Sequence, residues 1–364
     1  MKYNTKFVGK KLKIPPIIIG SGILNNIHKI FSLDQFSQIV ILTDKNVSPH
    51  WLSAIHKGLL RQHVIDIIIP AGERLKTIEE AKVLWKKMFE QGVDTRSLLI
   101  NLGGGVIGDL GAFVASTFMR GFDFLQIPTS LLAQVDASVG GKIGLNFEGI
   151  KNGIGLFNNP IGTIIDIKTL TTLPKRELVS GFSEAIKHGI IADKEYFNLV
   201  TSKKPGEFTL AELEIIVKQS VKIKLNVVSK DYKDTGSRRI LNFGHTIGHA
   251  IESLSLRTDK PFTHGEALAV GMRTESKLSH LLGLLSNKDF MTIEKVLNYT
   301  GLPIAVQDIT SSEIVKMIAF DKKRFKRSIL WSLPTKIGHA VFDVKLPNDK
   351  LVFRAIEYIH VPFC

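Results

Sequence analysis

One pattern narrows the possible folds of this chain more than any other. Over the first ~170 residues, short runs of Ile, Val and Leu alternate with segments of helical periodicity. The runs are Ile17–Ile19, Gln38–Thr43, Val64–Ile69, Leu98–Leu102, Phe124–Ile127 and Thr163–Ile167. None shows polar alternation, so each reads as a strand buried on both faces. Strands of that kind make a mainly parallel sheet covered by helices. Each run ends in turn or polar residues, such as Asp44-Lys45-Asn46, Gly103–Gly105 and Pro128-Thr129. Ligands of open α/β sheets bind at those carboxyl ends. After Thr172 the pattern becomes helical, clearest over Ala211–Ser229 and Glu266–Leu282, with Pro174 suited to a first helical turn. Ser328–Leu333 and Ala340–Val344 form a small hairpin near the end. The expected architecture is therefore a Rossmann-like α/β domain over 1–172 and a mostly α-helical domain over 173–364.

Composition removes several function classes. The only cysteine among the 364 residues is Cys364, so no intrachain disulfide or cysteine-built metal site can form. Such usage fits a reducing cytoplasm. The stretch Ile14–Ile19 is short and broken by Pro15 and Pro16, unlike a signal-peptide core. No run nears the ~18 apolar residues of a membrane helix. The formal net charge of +14 favours anionic partners. Its carriers are scattered apart from Lys322, Lys323, Arg324, Lys326 and Arg327, and no nucleic-acid-reading motif accompanies them. A solvated basic surface accounts for most of this charge.

Three segments bear chemistry. Gly103, Gly105 and Gly108 spell G-x-G-x-x-G after a strand and before a helix. Such a loop brings backbone N–H groups and a helix N-terminus to a pyrophosphate, although a tight βα turn has the same spelling. The loop follows the fourth strand, where a standard Rossmann half places it after the first. In the helical half, NFGHTIGHA sets His245 and His249 four residues apart, on one helix face. His264 follows in HGEA, and Glu184 lies in FSEAIKHG. Two histidines and a carboxylate with an open position describe a catalytic zinc site, whereas a lone His pair is commonly structural. The third segment, IPTSLLAQVDASVGGKIGLN and on to Lys151 and Asn152, is a polar, basic, glycine-rich loop able to cradle an anion or a polyol. It is not a Walker loop.

Together GGGVIGD, MRGF, QIPTSLLAQVDASVGGK, GFSEAIKHG, NFGHTIGHAIE, HGEA and DKK resemble the 3-dehydroquinate synthases, over roughly residues 40–335. The resemblance implies an NAD- and zinc- or cobalt-dependent lyase acting on 3-deoxy-arabino-heptulosonate 7-phosphate in the shikimate pathway. It implies NAD contacts from Asp44, Asn46, Glu73, Lys76, Gly104, Gly105, Val106, Asp109, Thr129, Ser130, Lys142 and Lys151. It assigns the metal to Glu184, His245 and His264. It places Asp136, Lys142, Asn152, Lys187, Lys224, Arg238, Asn242 and His249 around the substrate. Arg120, reaching from a partner subunit of a homodimer, and one of Lys322 and Lys323 would grip the phosphate. The implied chemistry is transient oxidation of a ring alcohol, β-elimination of phosphate, re-reduction, ring opening and aldol closure. Lysines and arginines suit the substrate's anions, and His249 is placed to shuttle a proton or to orient water or substrate. Ser130 departs from a usual threonine, His188 from a frequent tyrosine, and the segment after Asp321 lacks a usual Asp-Gly turn.

Rival readings are another sugar-phosphate cyclase, such as a 2-deoxy-scyllo-inosose or 2-epi-5-epi-valiolone synthase, and a metal-dependent polyol dehydrogenase. Retention of Asn242 and His249 argues against the valiolone branch. A dehydrogenase would have no need of the phosphate-gripping cations. A basic nucleic-acid-binding protein would leave Glu184, His245 and His264 without a task.

Overall fold

A computed structural model describes residues 14–59, 62–324, 329–346 and 350–360, with the side chains of 320–324 outside the description. The chain forms two compact units. One comprises the residues up to Pro174 together with Leu210–Val221, the other Lys175–Thr209 and the residues from Lys222 on.

The first unit is a doubly covered sheet. Its strands and helices are β1 (Ile17–Gly20), α1 (Ile27–Ile30), β2 (Ile39–Asp44), α2 (Ser48–Gly58), β3 (Val64–Ile69), α3 (Ile78–Glu90), β4 (Leu98–Gly103), α4 (Gly105–Thr117), β5 (Asp123–Pro128), β6 (Lys142–Phe147), β7 (Ile150–Phe157) and β8 (Gly162–Asp166). Six of the strands form one sheet in the order β1-β8-β5-β4-β2-β3, with every neighbouring pair parallel. All six were legible as mainly apolar runs, although Asp66, Asn101, Gln126 and Asp166 interrupt four of them, and β3, at the sheet edge, exposes Asp66 and Ile68 where burial on both faces was expected. Every residue of β2, β4 and β8 is buried. Along β2, Val40 and Leu42 pack with Leu84 and Met88 of α3 and Leu110 of α4, while Ile39 and Ile41 pack with Ile27 of α1 and Ile55 of α2. Alternate side chains thus fill two separate cores, each such Ile or Leu contributing about 1.5–3 kcal/mol.

The stretch around Lys142–Asn152 is an antiparallel hairpin, β6 paired with β7, rather than a loop. Its glycines suggested irregular chain. Yet Ile143 and Leu145, two residues apart and so on one face, both enter the α3/α4 core, and that burial makes β6 a strand.

The second unit is helical: α5 (Lys175–Ala192), α6 (Lys194–Val200), α7 (Leu210–Lys230), α8 (His245–Ser255), α9 (His264–Leu281), α10 (Asn287–Tyr299), α11 (Ser311–Arg324) and α12 (Lys350–Glu357). Residues of α7 up to Val221 group with the first unit and those from Lys222 with the second, a division its periodicity does not reveal. The hairpin is formed by β9 (Trp331–Lys336) and β10 (His339–Val344). Ser328, expected to open it, lies outside the described residues. Ile247 and Ile251 of α8, Ala267 and Val270 of α9, Ile314 of α11, Trp331 of β9 and Ile356 of α12 share one core. Arg273 of α9 and Glu294 of α10 form a buried ion pair at 2.6 Å.

Candidate functional site

In the first unit the chemistry gathers at the carboxyl ends of the strands. Gly103 ends β4 and Gly104 caps α4, so the G-x-G-x-x-G segment is the strand–loop–helix turn its spelling suggested. No acidic residue occupies the first turn of α4, which leaves that helix N-terminus open to an anion. Thr129, after β5, donates its backbone N–H to Gly103 O at 2.9 Å, joining the two loops. Ser130 then caps the next segment by accepting from Ala133 N–H at 3.3 Å. That segment, Ala133–Ala137, is a π-helical turn carrying Asp136, and such turns are frequent at functional sites.

Residues expected to serve NAD and substrate meet in one polar network. Lys76 pairs with Asp109 of α4 at 2.5 Å and donates to Asn152 Oδ1 of β7 at 2.6 Å. Glu73 accepts from Asn146 Nδ2 at 3.0 Å and lies 4.0 Å from Lys151 Nζ. Asn146 Oδ1 in turn accepts from the Asn152 backbone N–H at 3.0 Å. The β6–β7 hairpin is what brings these side chains to Lys76. Lys142 opens β6 with an exposed side chain. At the end of β2, Asp44 accepts from the N–H groups of Asn46 and Val47 at 2.8 and 3.1 Å. Burial nevertheless pushes its carboxyl up, against the pull of those two donors. Arg120 is exposed on a turn where Met119 and Arg120 both take positive φ, 48° and 73°. Such strain in non-glycine residues marks functional turns.

The second unit holds the expected metal donors. Glu184 lies on α5, and His245 and His264 are the first residues of α8 and α9. Placement of His264 depends on a close helix approach. Gly265 N–H donates to Ser180 Oγ of α5 at 3.1 Å, and a Cβ on Gly265 would lie 2.0 Å from Ser180 O. Thr263 and Glu266 form a capping box at the start of α9, and Arg176 of α5 grips both oxygens of Glu266 at 2.8 and 2.6 Å. Glu184 follows Ser180 by one turn, so its carboxylate faces His264.

The result is a convergent donor set. Glu184 Oε1 lies 3.4 Å from Nε2 of both His245 and His264. The outer ring nitrogens have their own partners: His245 Nδ1 meets Phe243 O at 3.2 Å, and His264 Nδ1 meets Glu252 Oε2 at 3.2 Å. Both partners are acceptors suited to an Nδ1 proton, so that each Nε2 can offer its lone pair to a cation in place of its contact with Glu184. Three lone-pair donors face one another within 4.8 Å. That arrangement fits a divalent cation such as zinc. Glu252 also groups with His249 and His264, but its bond to the outer nitrogen makes it the residue that orients His264. Burial raises the Glu184 carboxyl, and Lys187 with both imidazoles outweighs it, holding it well below the usual carboxylate range. Burial and the Lys187 ammonium push the His245 imidazole down, which keeps it neutral and ready to ligate.

Lys187 adjoins this centre, and Lys224 and Arg238 are further buried cations of the same unit. Lys187 is 1% exposed, Arg238 2% and Lys224 5%. Arg238 sits in a loop shaped by Asp231, which accepts the N–H groups of Gly236 and Arg238 at 2.7 and 3.0 Å. Those donors, with Thr235, overcome burial and lower the Asp231 carboxyl to about 2. Asn242 ends the turn leading into α8, and exposed His249 stands one turn beyond His245, ring centroids 5.1 Å apart. Lys322 and Lys323 fall on the last turn of α11, with side chains outside the described residues. Sequence reasoning missed Glu252, although its spacing of seven from His245 puts it on the same helix face. It also missed Glu275 of α9, which accepts from Gly244 and Ile247 N–H and whose carboxyl burial pushes up to about 8.

Comparisons with known proteins bear on the family and the fold. The family model for the 3-dehydroquinate synthase N-terminal domain matches residues 66–180, and that for the C-terminal domain matches residues 181–324. A 3-dehydroquinate synthase of Clostridium beijerinckii is 41% identical over 331 residues, 90% of this chain and 94% of its own. Among solved structures, a 2-deoxy-scyllo-inosose synthase complexed with carbaglucose-6-phosphate, NAD+ and Co2+ superposes with a TM-score of 0.88 at 22% identity, covering 98% of this chain and 99% of its own. A 2-epi-5-epi-valiolone synthase of Streptomyces hygroscopicus with NAD+ and Zn2+ gives 0.86 at 24%, with the same coverage. At those identities the two structures speak for the fold alone. Adjoining matches to both halves, and a relative aligned along nearly its whole length, place the chain in the 3-dehydroquinate synthase family.

Proposed function

We propose that the chain converts 3-deoxy-arabino-heptulosonate 7-phosphate to 3-dehydroquinate and phosphate. The observation that carries this reading is the pair of family matches spanning residues 66–324. The convergence of Glu184, His245 and His264 supports it. A divalent metal bound by those three residues would polarise a substrate hydroxyl, and NAD held at the Gly103–Gly105 loop would take up and return a hydride.

The remaining work falls to the chain's own groups. The substrate carries a phosphate, a carboxylate and several hydroxyls. Lys187, Lys224 and Arg238 offer cations with little competing solvent, so each contact to an anion gains strength over its value in water. Lys142, Asn152 and Asp136 would hold hydroxyls and the carboxylate, and Arg120 and Lys322 or Lys323 the phosphate. Arg120 would do so in the second subunit of a homodimer. His249, exposed beside His245, would carry protons during elimination and ring closure. A net positive chain would speed encounter with a polyanionic substrate. Among the described residues no helix is long and apolar enough to cross a membrane, and we place the enzyme in the cytoplasm.

Product identification tests the substrate. The protein, given NAD and zinc, should turn 3-deoxy-arabino-heptulosonate 7-phosphate into one equivalent each of 3-dehydroquinate and phosphate. Turnover of glucose 6-phosphate in its place would transfer the chain to the inosose-type cyclases.

A further inference from the structure

Helix α8 has no cap of its own. Gly244, the residue before it, takes φ 81° and has no side chain to offer. A Cβ there would lie 2.6 Å from Met272 Cγ and 2.8 Å from Leu268 Cδ1 of α9. The usual capping residues are thus excluded, and the first N–H groups of α8 need another acceptor. It comes from α9. Glu275 Oε2 accepts from Gly244 N–H at 2.6 Å, and Oε1 accepts from Ile247 N–H at 3.2 Å. Glu275 is 0% exposed, so no water competes for these bonds.

The spacing gives this contact its meaning. Glu275 stands 11 residues beyond His264, about three turns, and therefore on the same face of α9. His264 starts α9 and His245 starts α8. One face of α9 thus fixes both imidazoles, the first directly and the second through a carboxyl that grips the start of α8. We propose that Glu275 is a positioning residue of the metal centre, holding the first turn of α8 so that His245 Nε2 points at Glu184 and His264. The inference rests on the metal-site reading above. Glu275 acts through the α8 backbone, and its two acceptor oxygens are what the role requires.

Two variants test it. Glu275→Gln keeps the shape but turns an amide NH2 toward backbone donors, while Glu275→Asp keeps both oxygens and withdraws them by one methylene. The metal-free full-length chain would be titrated with zinc against a chromophoric chelator, and with cobalt while recording the visible spectrum. NAD affinity and the thermal midpoint serve as controls. Zinc affinity should fall 10–100-fold in both variants, the usual cost of losing an outer-shell partner. The cobalt bands should shift, and NAD affinity should hold. A lowered midpoint with wild-type zinc affinity and an unchanged cobalt spectrum would show a merely structural role and overturn the proposal. Should Glu275→Gln fail to fold, Glu275→Asp decides by the same readouts. Absence of stoichiometric zinc binding in the wild type would bring down the metal-site reading as well. Wild-type binding matched by both variants would bring down this inference alone.

Discussion

Replacing Lys187 by methionine isolates the electrostatics of the candidate metal site. Lys187 Nζ lies 2.5 Å from Glu184 Oε2, and the two side chains are 2% and 1% exposed. Methionine keeps the length and removes the charge. In the metal-free protein the Glu184 carboxylate then loses its nearest cation while staying buried beside the His245 and His264 imidazoles. Breaking a buried pair by removing one partner costs about 3–5 kcal/mol. For a unit of roughly 180 residues, each kcal/mol moves the midpoint by about 2–4 °C. The metal-free variant should therefore melt roughly 6–20 °C below the metal-free wild type. Zinc brings positive charge to the same carboxylate, so loading should raise the midpoint more in the variant than in the wild type. Thermal melts of both proteins, metal-free and zinc-loaded, read this directly. Equal zinc increments, or a metal-free variant within about 2 °C of the wild type, would refute the reasoning.

Other consequences concern the surrounding groups. Glu252→Ala removes the acceptor on His264 Nδ1, and chelator competition should show zinc affinity down about 10–100-fold. Lys142→Ala should raise KM for the phosphorylated substrate more than the dissociation constant of NAD; a selective loss of NAD affinity would reassign β6 to the cofactor. The Asp231 carboxyl is lowered from 3.8 to about 2, so the support it gives the Arg238 loop is fully present above about pH 3.8 and lost as pH falls through about 2. Asp231→Asn should accordingly lower the midpoint by a constant amount above pH 4, and the gap to the wild type should close in more acid solution.

Much of the fold could be read because burial leaves a plain mark on the sequence. The inner sheet strands are hidden on both faces, so Ile39–Leu42 and Leu98–Ile100 show no polar residue that might blur them, while β3 at the edge exposes Asp66 and Ile68. The glycine loop was legible because it stands between such a strand and a helix. Other features depend on contacts far apart in the chain. The β6–β7 hairpin owes its existence to Ile143 and Leu145 packing under α3 and α4, while its glycines and polar residues read as loop. The division of α7 at Val221 leaves no mark in its periodicity. The metal donors came as residue types in family motifs, since nothing local ties Glu184 to His264, 80 residues away. Their outer partners were less visible. Glu252 carried a usable spacing from His245, but Phe243 contributes only a carbonyl, and no side-chain pattern announces that. Glu275 looked like one more charge on an amphipathic helix until its oxygens were seen to meet the start of α8.

The proposed reaction is redox-neutral and needs a metal held by Glu184, His245 and His264. It is tested most directly by following phosphate release and NADH absorbance in one sample of metal-depleted protein with NAD and 3-deoxy-arabino-heptulosonate 7-phosphate, before and after zinc is added. Phosphate release should begin on zinc addition, with no net NADH, and should be absent in His264→Ala. NADH accumulating without phosphate release would contradict it and point to a dehydrogenase, as would full activity in the rigorously metal-free protein to a site that works without its donors.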